Sequence, residues 1–238
     1  MGPDAVAQDT VGSATLERLA DAPAFNRWMY DRLAPWISGS VLEIGAGIGN
    51  LSRFLVDRPR VVLTDTDPTY RAELARRFGG RPSVRVTALT LPEQPPDLAP
   101  ASFDTVVCLN VLEHVEQDRA ALVTIRELLV PGGRLVLLVP ALPALYGTLD
   151  RALSHCRRYT KQGLRERYRD AGFAMRRMEY FNLAGLPGWF LVGRVLRRRL
   201  LPRGSMRVYD ALVPLFRLER YLPWRLGQSL IAVGERPA

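Results

Sequence analysis

The stretch Val41-Leu42-Glu43-Ile44-Gly45-Ala46-Gly47-Ile48-Gly49-Asn50 constrains this chain more than any other. A short apolar run ends in an acid and a Gly-x-Gly-x-Gly turn, and a second apolar run, Val61-Val62-Leu63-Thr64, ends in Asp65. Glycines at 45, 47 and 49 let the backbone turn tightly and approach a ligand that a Cβ would exclude. Asp65 stands at the tip of the second run, where a carboxylate can accept hydrogen bonds from both hydroxyls of a ribose. The pattern is that of a nucleotide-binding half. Glu43 narrows it further, because an acid so close to the glycines would repel a pyrophosphate and attract a ligand carrying an ammonium group.

Periodicity extends this into an α/β chain. Residues 24–36 place Phe25, Trp28, Met29 and Leu33 three and four apart, an amphipathic helix before the first strand. Residues 1–20 read as a partly ordered lead-in. A helix is expected over 50–56, ended by Pro59, and another over 69–78 with Asp67 as its cap and Gly79-Gly80 as its stop. Strands are expected at 84–88, 103–109, 134–139, 173–180 and 230–233, with helices at 118–129 and 164–171 between them. Alternation of this kind implies a parallel sheet with right-handed crossovers.

Two further stretches join the first: Ser102-Phe103-Asp104-Thr105-Val106-Val107-Cys108-Leu109-Asn110-Val111-Leu112-Glu113-His114-Val115, and Leu128-Leu129-Val130-Pro131-Gly132-Gly133-Arg134-Leu135-Val136-Leu137-Leu138-Val139-Pro140. Together the three resemble, in order and spacing, the class I S-adenosylmethionine-dependent methyltransferases. The resemblance implies a Rossmann-like doubly wound sheet of order 3-2-1-4-5-7-6 with the last strand antiparallel. It implies S-adenosylmethionine as cofactor, S-adenosylhomocysteine as product, and no metal. Carried onto this chain, Glu43, Gly45, Ala46 and Gly47 match the positions holding the amino-acid end of the cofactor, and Asp65 matches the ribose acceptor with Thr66 beside it. Ala88 and Leu89 flank the adenine, Asn110 and Val111 wrap the sulfonium end, and Trp28 belongs to a helix that often roofs the cofactor in this family. At Ala88 the family tends to have Asp; the departure costs one hydrogen bond, about 0.5–1.5 kcal/mol net.

Length and charge bound the alternatives. The chain has 238 residues, enough for one full core. It is read as a single domain: a helical lead-in over 1–38, a Rossmann-like core over 39–182, a basic helical insertion over 183–228 and a closing strand over 229–238. No run of eighteen uncharged apolar residues and no basic-then-apolar leader is present, so a soluble, cytoplasmic protein is expected. Cys108 and Cys156 have no metal or disulfide spacing. The net charge of +9 would suit nucleic acid, but only Lys161 among the 33 basic residues is lysine. That skew points to a GC-rich bacterial genome, and no aromatics interleave in an RNA-binding pattern, so nucleic acid is disfavoured as a partner.

The chemistry left to the protein concerns the acceptor. Methyl transfer is a direct displacement, so alignment supplies much of the catalysis, while a hydroxyl acceptor also needs its proton removed. His114 and His155 are the two histidines and the catalytic candidates. His155 opens His155-Cys156-Arg157-Arg158-Tyr159, similar to a His-x-Arg-Arg-Tyr stretch in a bacterial methyltransferase subgroup near cell-envelope and secondary-metabolite pathways. Tyr146, Arg157, Arg158 and Tyr159 are the acceptor-binding candidates. The insertion carries nine arginines against two acids, interleaved with Trp189, Phe190, Leu191, Val192, Val195, Leu196, Leu200 and Leu201. Such a segment could lie on an anionic membrane, cover a hydrophobic substrate, form a dimer face, or pack as a helical pair with a solvated arginine face. The expected function is methylation of a small, partly hydrophobic metabolite, at oxygen, in secondary metabolism. The rivals are N- or C-methylation of a small or lipid-like acceptor, and a noncatalytic cofactor-binding or membrane-surface protein. The acceptor's identity and the oligomeric state lie beyond the sequence.

Overall fold

In a computed structural model, residues 3–200, 202, 204–221 and 226–238 are described. Seven strands form one sheet: β1 (Val41–Ile44), β2 (Val61–Thr64), β3 (Val84–Thr87), β4 (Phe103–Leu109), β5 (Leu129–Pro140), β6 (Ala174–Phe181) and β7 (Ser229–Glu235), in the order β3-β2-β1-β4-β5-β7-β6. β1 to β5 run parallel, with Glu43 beside Leu63 and Val107, and β7 is antiparallel to both β5 and β6. The expected strand order is therefore the observed one.

Apolar burial on both faces of the sheet holds it. Leu135, Leu137 and Val139 of β5 point into one core layer with Phe103, Leu122, Ile125, Leu128 and Tyr168. The alternate residues Val136 and Leu138 point into the other, with Trp28, Leu33, Leu55, Leu63 and Phe181. The first layer is capped by α4 (Asp118–Leu128) and α6 (Lys161–Asp170), the second by α2 (Pro23–Leu33) and α3 (Pro68–Phe78). Asp67 caps α3 by accepting from the Thr69 N–H at 2.7 Å, which leaves Asp65 for other work.

The lead-in carries α1 (Pro3–Ala20), which lies against the glycine turn, where Asn50 Nδ2 donates to Leu16 O at 3.0 Å, and against α2, where Asn26 Nδ2 donates to Leu19 O at 2.6 Å. Two expectations are corrected. No α-helix forms over 50–56, only a 3₁₀ turn, Ser52–Phe54, which closes mainly with i→i+3 bonds. The fifth strand begins at Leu129, ahead of Pro131-Gly132-Gly133, so that turn is an irregularity inside the β4–β5 ladder, with Gly132 at φ +77°.

After β5, α5 (Thr148–Ala152) precedes the His-x-Arg-Arg-Tyr stretch. After β6 come α7 (Gly185–Phe190), continued by a π-helical turn Leu191–Val195, and α8 (Ser205–Phe216), continued by a 3₁₀ turn Arg217–Tyr221. The insertion is thus largely helical where described; Leu201 lies outside the described residues. No described helix is long and apolar enough to cross a membrane.

α8 is tied to α2 by a single carboxylate. The residue before α2, Ala22, has no side chain with which to cap it. Asp210 does so across 185 residues of sequence, accepting from Phe25 N at 2.7 Å and Ala24 N at 3.2 Å. Asp210→Ala should therefore lower stability by about 1–2 kcal/mol, the usual cost of losing a cap. Urea denaturation measures it, and an unchanged midpoint would mean the contact contributes nothing.

Candidate functional site

A cavity of about 950 Å³ lies along the carboxyl edge of the sheet, where α/β folds bind ligands. Asp65 lies just past β2, Asn110 past β4 and Asn182 past β6, all on its wall. Asn110 and Asn182 both adopt left-handed backbone (φ +53° and +67°), which asparagine tolerates better than most residues and which turns the chain sharply at the rim.

At one end the wall is formed by Gly45, Gly47, Asp65, Thr66, Leu89, Asn110 and Val111. Gly45 sits at φ +72°, and a Cβ there would fall 2.2 Å from Val111 Cγ2, so glycine is required both by conformation and by space. Asp65 Oδ2 accepts from Gly47 N at 2.8 Å and Oδ1 from Asp67 N at 3.0 Å. Burial pushes the Asp65 carboxyl up, and these backbone donors pull against it. α1 and α2 roof this end with Leu16, Leu19, Phe25 and Met29.

Four residues read as cofactor contacts stand off the wall. Trp28 is turned into the core against Phe181, ring centroids 4.7 Å apart, and its neighbours Phe25 and Met29 face the cavity instead. A rotation of about 60–100° around the helix axis separates the two readings. Glu43 is buried under the glycine turn and accepts from Ser52 Oγ at 2.6 Å; burial, with Asp65 nearby, raises its pKa to about 7. Ala46 packs in the core, and Ala88 yields the wall to Leu89 and Thr90.

At the other end stand His114, His155, Arg158, Trp189 and Val192. Their organiser is Asp150 of α5, fully buried. Its Oδ1 meets His155 Nδ1 at 3.1 Å and accepts from Arg158 Nε at 2.7 Å. Its Oδ2 accepts from Gly147 N at 2.9 Å and Trp189 Nε1 at 3.4 Å. Burial pushes the Asp150 carboxyl up, but the bonds from His155 and Arg158 and the guanidinium charge outweigh it and hold it below its ordinary value. An ionised Asp150 fixes the proton of His155 on Nδ1 and leaves the Nε2 lone pair available. Tyr146 orients the same loop, its hydroxyl donating to His155 O at 2.7 Å.

The His-x-Arg-Arg-Tyr stretch divides. Arg158 faces the cavity with its side chain fully buried, Nη1 on Ala141 O at 2.9 Å, its guanidinium 5.0 Å from the Trp189 ring centre, and Nη2 without a protein partner. Arg157 turns away to Asp118 at 2.8 Å, and Tyr159 is core, its hydroxyl between Leu112 O and Asp118 Oδ2. Tyr146, Arg157 and Tyr159 do not line the cavity, a correction to their reading as acceptor contacts. For Arg157 and Tyr159 the reason is Asp118, buried at the start of α4, which draws them and Arg167 to itself, while Tyr146 spends its hydroxyl on His155 O.

Glu113 and Asp150 escaped the sequence reading, although Glu113 directly precedes His114 and Asp150 stands five residues before His155. Glu113 is fully buried, neither carboxylate oxygen has a hydrogen-bond partner, and Oε1 lies 3.9 Å from His155 Nε2. Burial raises its pKa to about 8. His114 packs edge-on against the His155 ring at 4.8 Å, and burial, then His155, lower its pKa to about 4. Burial thus keeps His114 neutral at pH 7. Among the described residues Glu113, His114 and His155 bring ligand atoms within 4.8 Å of one another. Cation–ligand bonds of about 2.0–2.2 Å would need that group to contract.

The strand order and the ligand edge resemble those of class I S-adenosylmethionine-dependent methyltransferases. Residues 42–135 match the family model described as a methyltransferase domain. The chain is 31% identical over 118 residues to an uncharacterised methyltransferase of Mycobacterium bovis, covering 49% of this chain and 58% of that one. It is 32% identical over 107 residues to a ubiquinone biosynthesis O-methyltransferase of Paracidovorax citrulli, covering 43% and 44%. The chain thus spans about half the length of these relatives. A solved S-adenosylmethionine-dependent methyltransferase from Mesorhizobium loti shares the fold at a TM-score of 0.61, with 16% identity over 88% of this chain and 98% of that one.

The buried Glu113 carboxyl has a signed consequence. Its pKa is raised on folding, so between about pH 4.5 and 8 the native state binds more protons than the unfolded one, and this group's contribution falls as pH rises. Glu113→Gln should gain stability relative to wild type on going from pH 5 to pH 8.5. Thermal melts across that range test it; a difference independent of pH would mean that Glu113 ionises as it would in water.

Proposed function

We propose that the chain transfers the methyl group of S-adenosylmethionine to an oxygen of a small, partly hydrophobic acceptor, with His155 as general base. One observation carries the reading: a single cavity runs from Gly45, Gly47 and Asp65 to His155 and Arg158, so donor and acceptor would share one cleft. Its volume lies at the upper end of the roughly 300–1,000 Å³ usual for ligand sites, in keeping with two ligands.

When bound, S-adenosylmethionine supplies an electrophilic methyl that needs no further activation. The backbone at Gly45 and Gly47 would hold its amino-acid end, Asp65 the ribose, Leu89 the adenine face, and Asn110 and Val111 the sulfonium end. His155 Nε2 would take the proton of an acceptor hydroxyl as its oxygen attacks, while Asp150 stabilises the imidazolium formed. Arg158 Nη2 offers a donor to a polar group of the acceptor, and Trp189, Val192, Met206 and Phe181 offer apolar walls. The relative named for O-methylation in ubiquinone biosynthesis supports oxygen as the site. No metal is invoked, because Nε2 cannot hold a cation and receive a proton at once. The arginine-dominated composition supports a bacterial source and a small metabolite over nucleic acid, and a cytoplasmic setting with peripheral membrane contact through 183–228 belongs to the same reading.

Asp65→Ala should weaken S-adenosylmethionine by about 1.5–3 kcal/mol, roughly 10- to 150-fold, in a folded protein. Titration calorimetry decides, and unchanged affinity removes Asp65 from the site. His155→Gln should lower turnover about 10²–10⁴-fold with donor affinity nearly intact, and the ascending limb of the pH profile should vanish. Near-normal turnover would shift the reading to an acceptor that needs no base, such as a carboxylate.

A further inference from the structure

The insertion that walls the cavity is apolar on two sides. α8 turns Met206 and Tyr209 toward the cavity and Val213 and Phe216 toward the core. Its opposite side carries Val208, Leu212 and Leu215, spaced four and three apart, and the stripe continues to Leu218 in the following turn. These four residues are 66%, 45%, 61% and 51% exposed. Phe190, Leu191, Val195 and Leu196, at the end of α7 and in its π-helical continuation, are exposed as well. Among the described residues ten of the eleven exposed large hydrophobic side chains lie between 190 and 226, Val123 being the exception. Scattered apolar exposure is ordinary; this concentration marks a face that meets something.

Charge identifies what it meets. The segment has two acids, and both are used internally: Asp210 caps α2, and Glu219 accepts from Asn182 N at 3.0 Å and Leu183 N at 2.7 Å. The described arginines remain outside. Arg194, Arg197, Arg198 and Arg199 are exposed beside Val195 and Leu196, and Arg220 beside Tyr221. Arg207 and Arg217 reach acids of other elements, Asp21 and Asp31, in solvent-exposed pairs. An apolar stripe fringed by cations, with its carboxylates turned inward, complements an anionic lipid surface. A second copy of the same face would set arginine against arginine.

We propose that the outer face of α7 and α8 docks on an anionic bilayer, seating the apolar stripe among the acyl chains and the arginines among the headgroups. The helices that wall the cavity are then the ones that touch lipid, which suits an acceptor drawn from the bilayer. Docking itself is measured without turnover, so its test stands apart from that of methyl transfer.

The test is sedimentation of the full chain with vesicles of phosphatidylglycerol and phosphatidylcholine, and of phosphatidylcholine alone, over a salt series. Binding should need the anionic lipid and weaken as salt rises. Replacing Arg197, Arg198 and Arg199 together with Gln should lower partitioning about a hundredfold at low salt. Leu212→Asp with Leu215→Asp should abolish it at every salt concentration, with S-adenosylmethionine affinity retained in both variants. Absence of binding to the anionic vesicles overturns the proposal, as does binding indifferent to both variants. So does a dimer, seen by sedimentation velocity, that the leucine variant dissociates, because a second copy would then cover the face. If a variant fails to melt like wild type, the lipid and salt dependence of the unaltered chain makes the same decision.

Discussion

Asp150 holds the histidine end of this cavity together. A carboxylate with no solvent exposure would cost several kcal/mol if left alone, and it persists because Gly147, His155, Arg158 and Trp189 all meet it. Those four belong to the loop after β5, to the His-x-Arg-Arg-Tyr stretch and to α7. One buried charge therefore docks three segments and holds the Nδ1 side of His155. Removing it would leave the Arg158 guanidinium buried with its ion pair broken, so the site has every reason to keep the charge.

The two ends of the cavity obey different physics. At the glycine turn the backbone itself forms the binding surface, and side chains are excluded by conformation, as the Gly45 contact with Val111 shows. At the histidine end, side chains do the work and their charges are sorted by burial. Asp150 is kept ionised by its partners, whereas Glu113, with none, is pushed toward its neutral form. Two carboxyls on either side of one imidazole thus take opposite protonation preferences from their surroundings.

The insertion joins the site to the surface. Asn182 ends β6 in a left-handed turn, accepts from Tyr209 and Gly185 and donates to Gln228, fixing where α7 and α8 depart and where the chain returns to β7. α8 consequently presents one apolar side to the interior and another outward.

Much of the core was legible in the sequence because it rests on local rules. The glycine turn, the period-two and period-3.6 apolar patterns and the Asp67 cap need only neighbours in sequence, and Asp65 follows from its place at a strand end. The misplacements share one cause. Trp28 and Phe25 are both apolar and three apart, and only the rotation of α2 against the sheet decides which faces the cavity. Arg157, Arg158 and Tyr159 are consecutive, yet Asp118 and Asp150, 39 and 8 residues before Arg157 and Arg158, pull them to opposite sides. Sequence alone determined the sheet, its cofactor-type turn and the two histidines, because apolar periodicity and glycine conformation are properties of short segments. Tertiary structure decided which polar side chains face the cavity and which charges persist there, because burial and partnership are set by segments that meet only when the chain is folded.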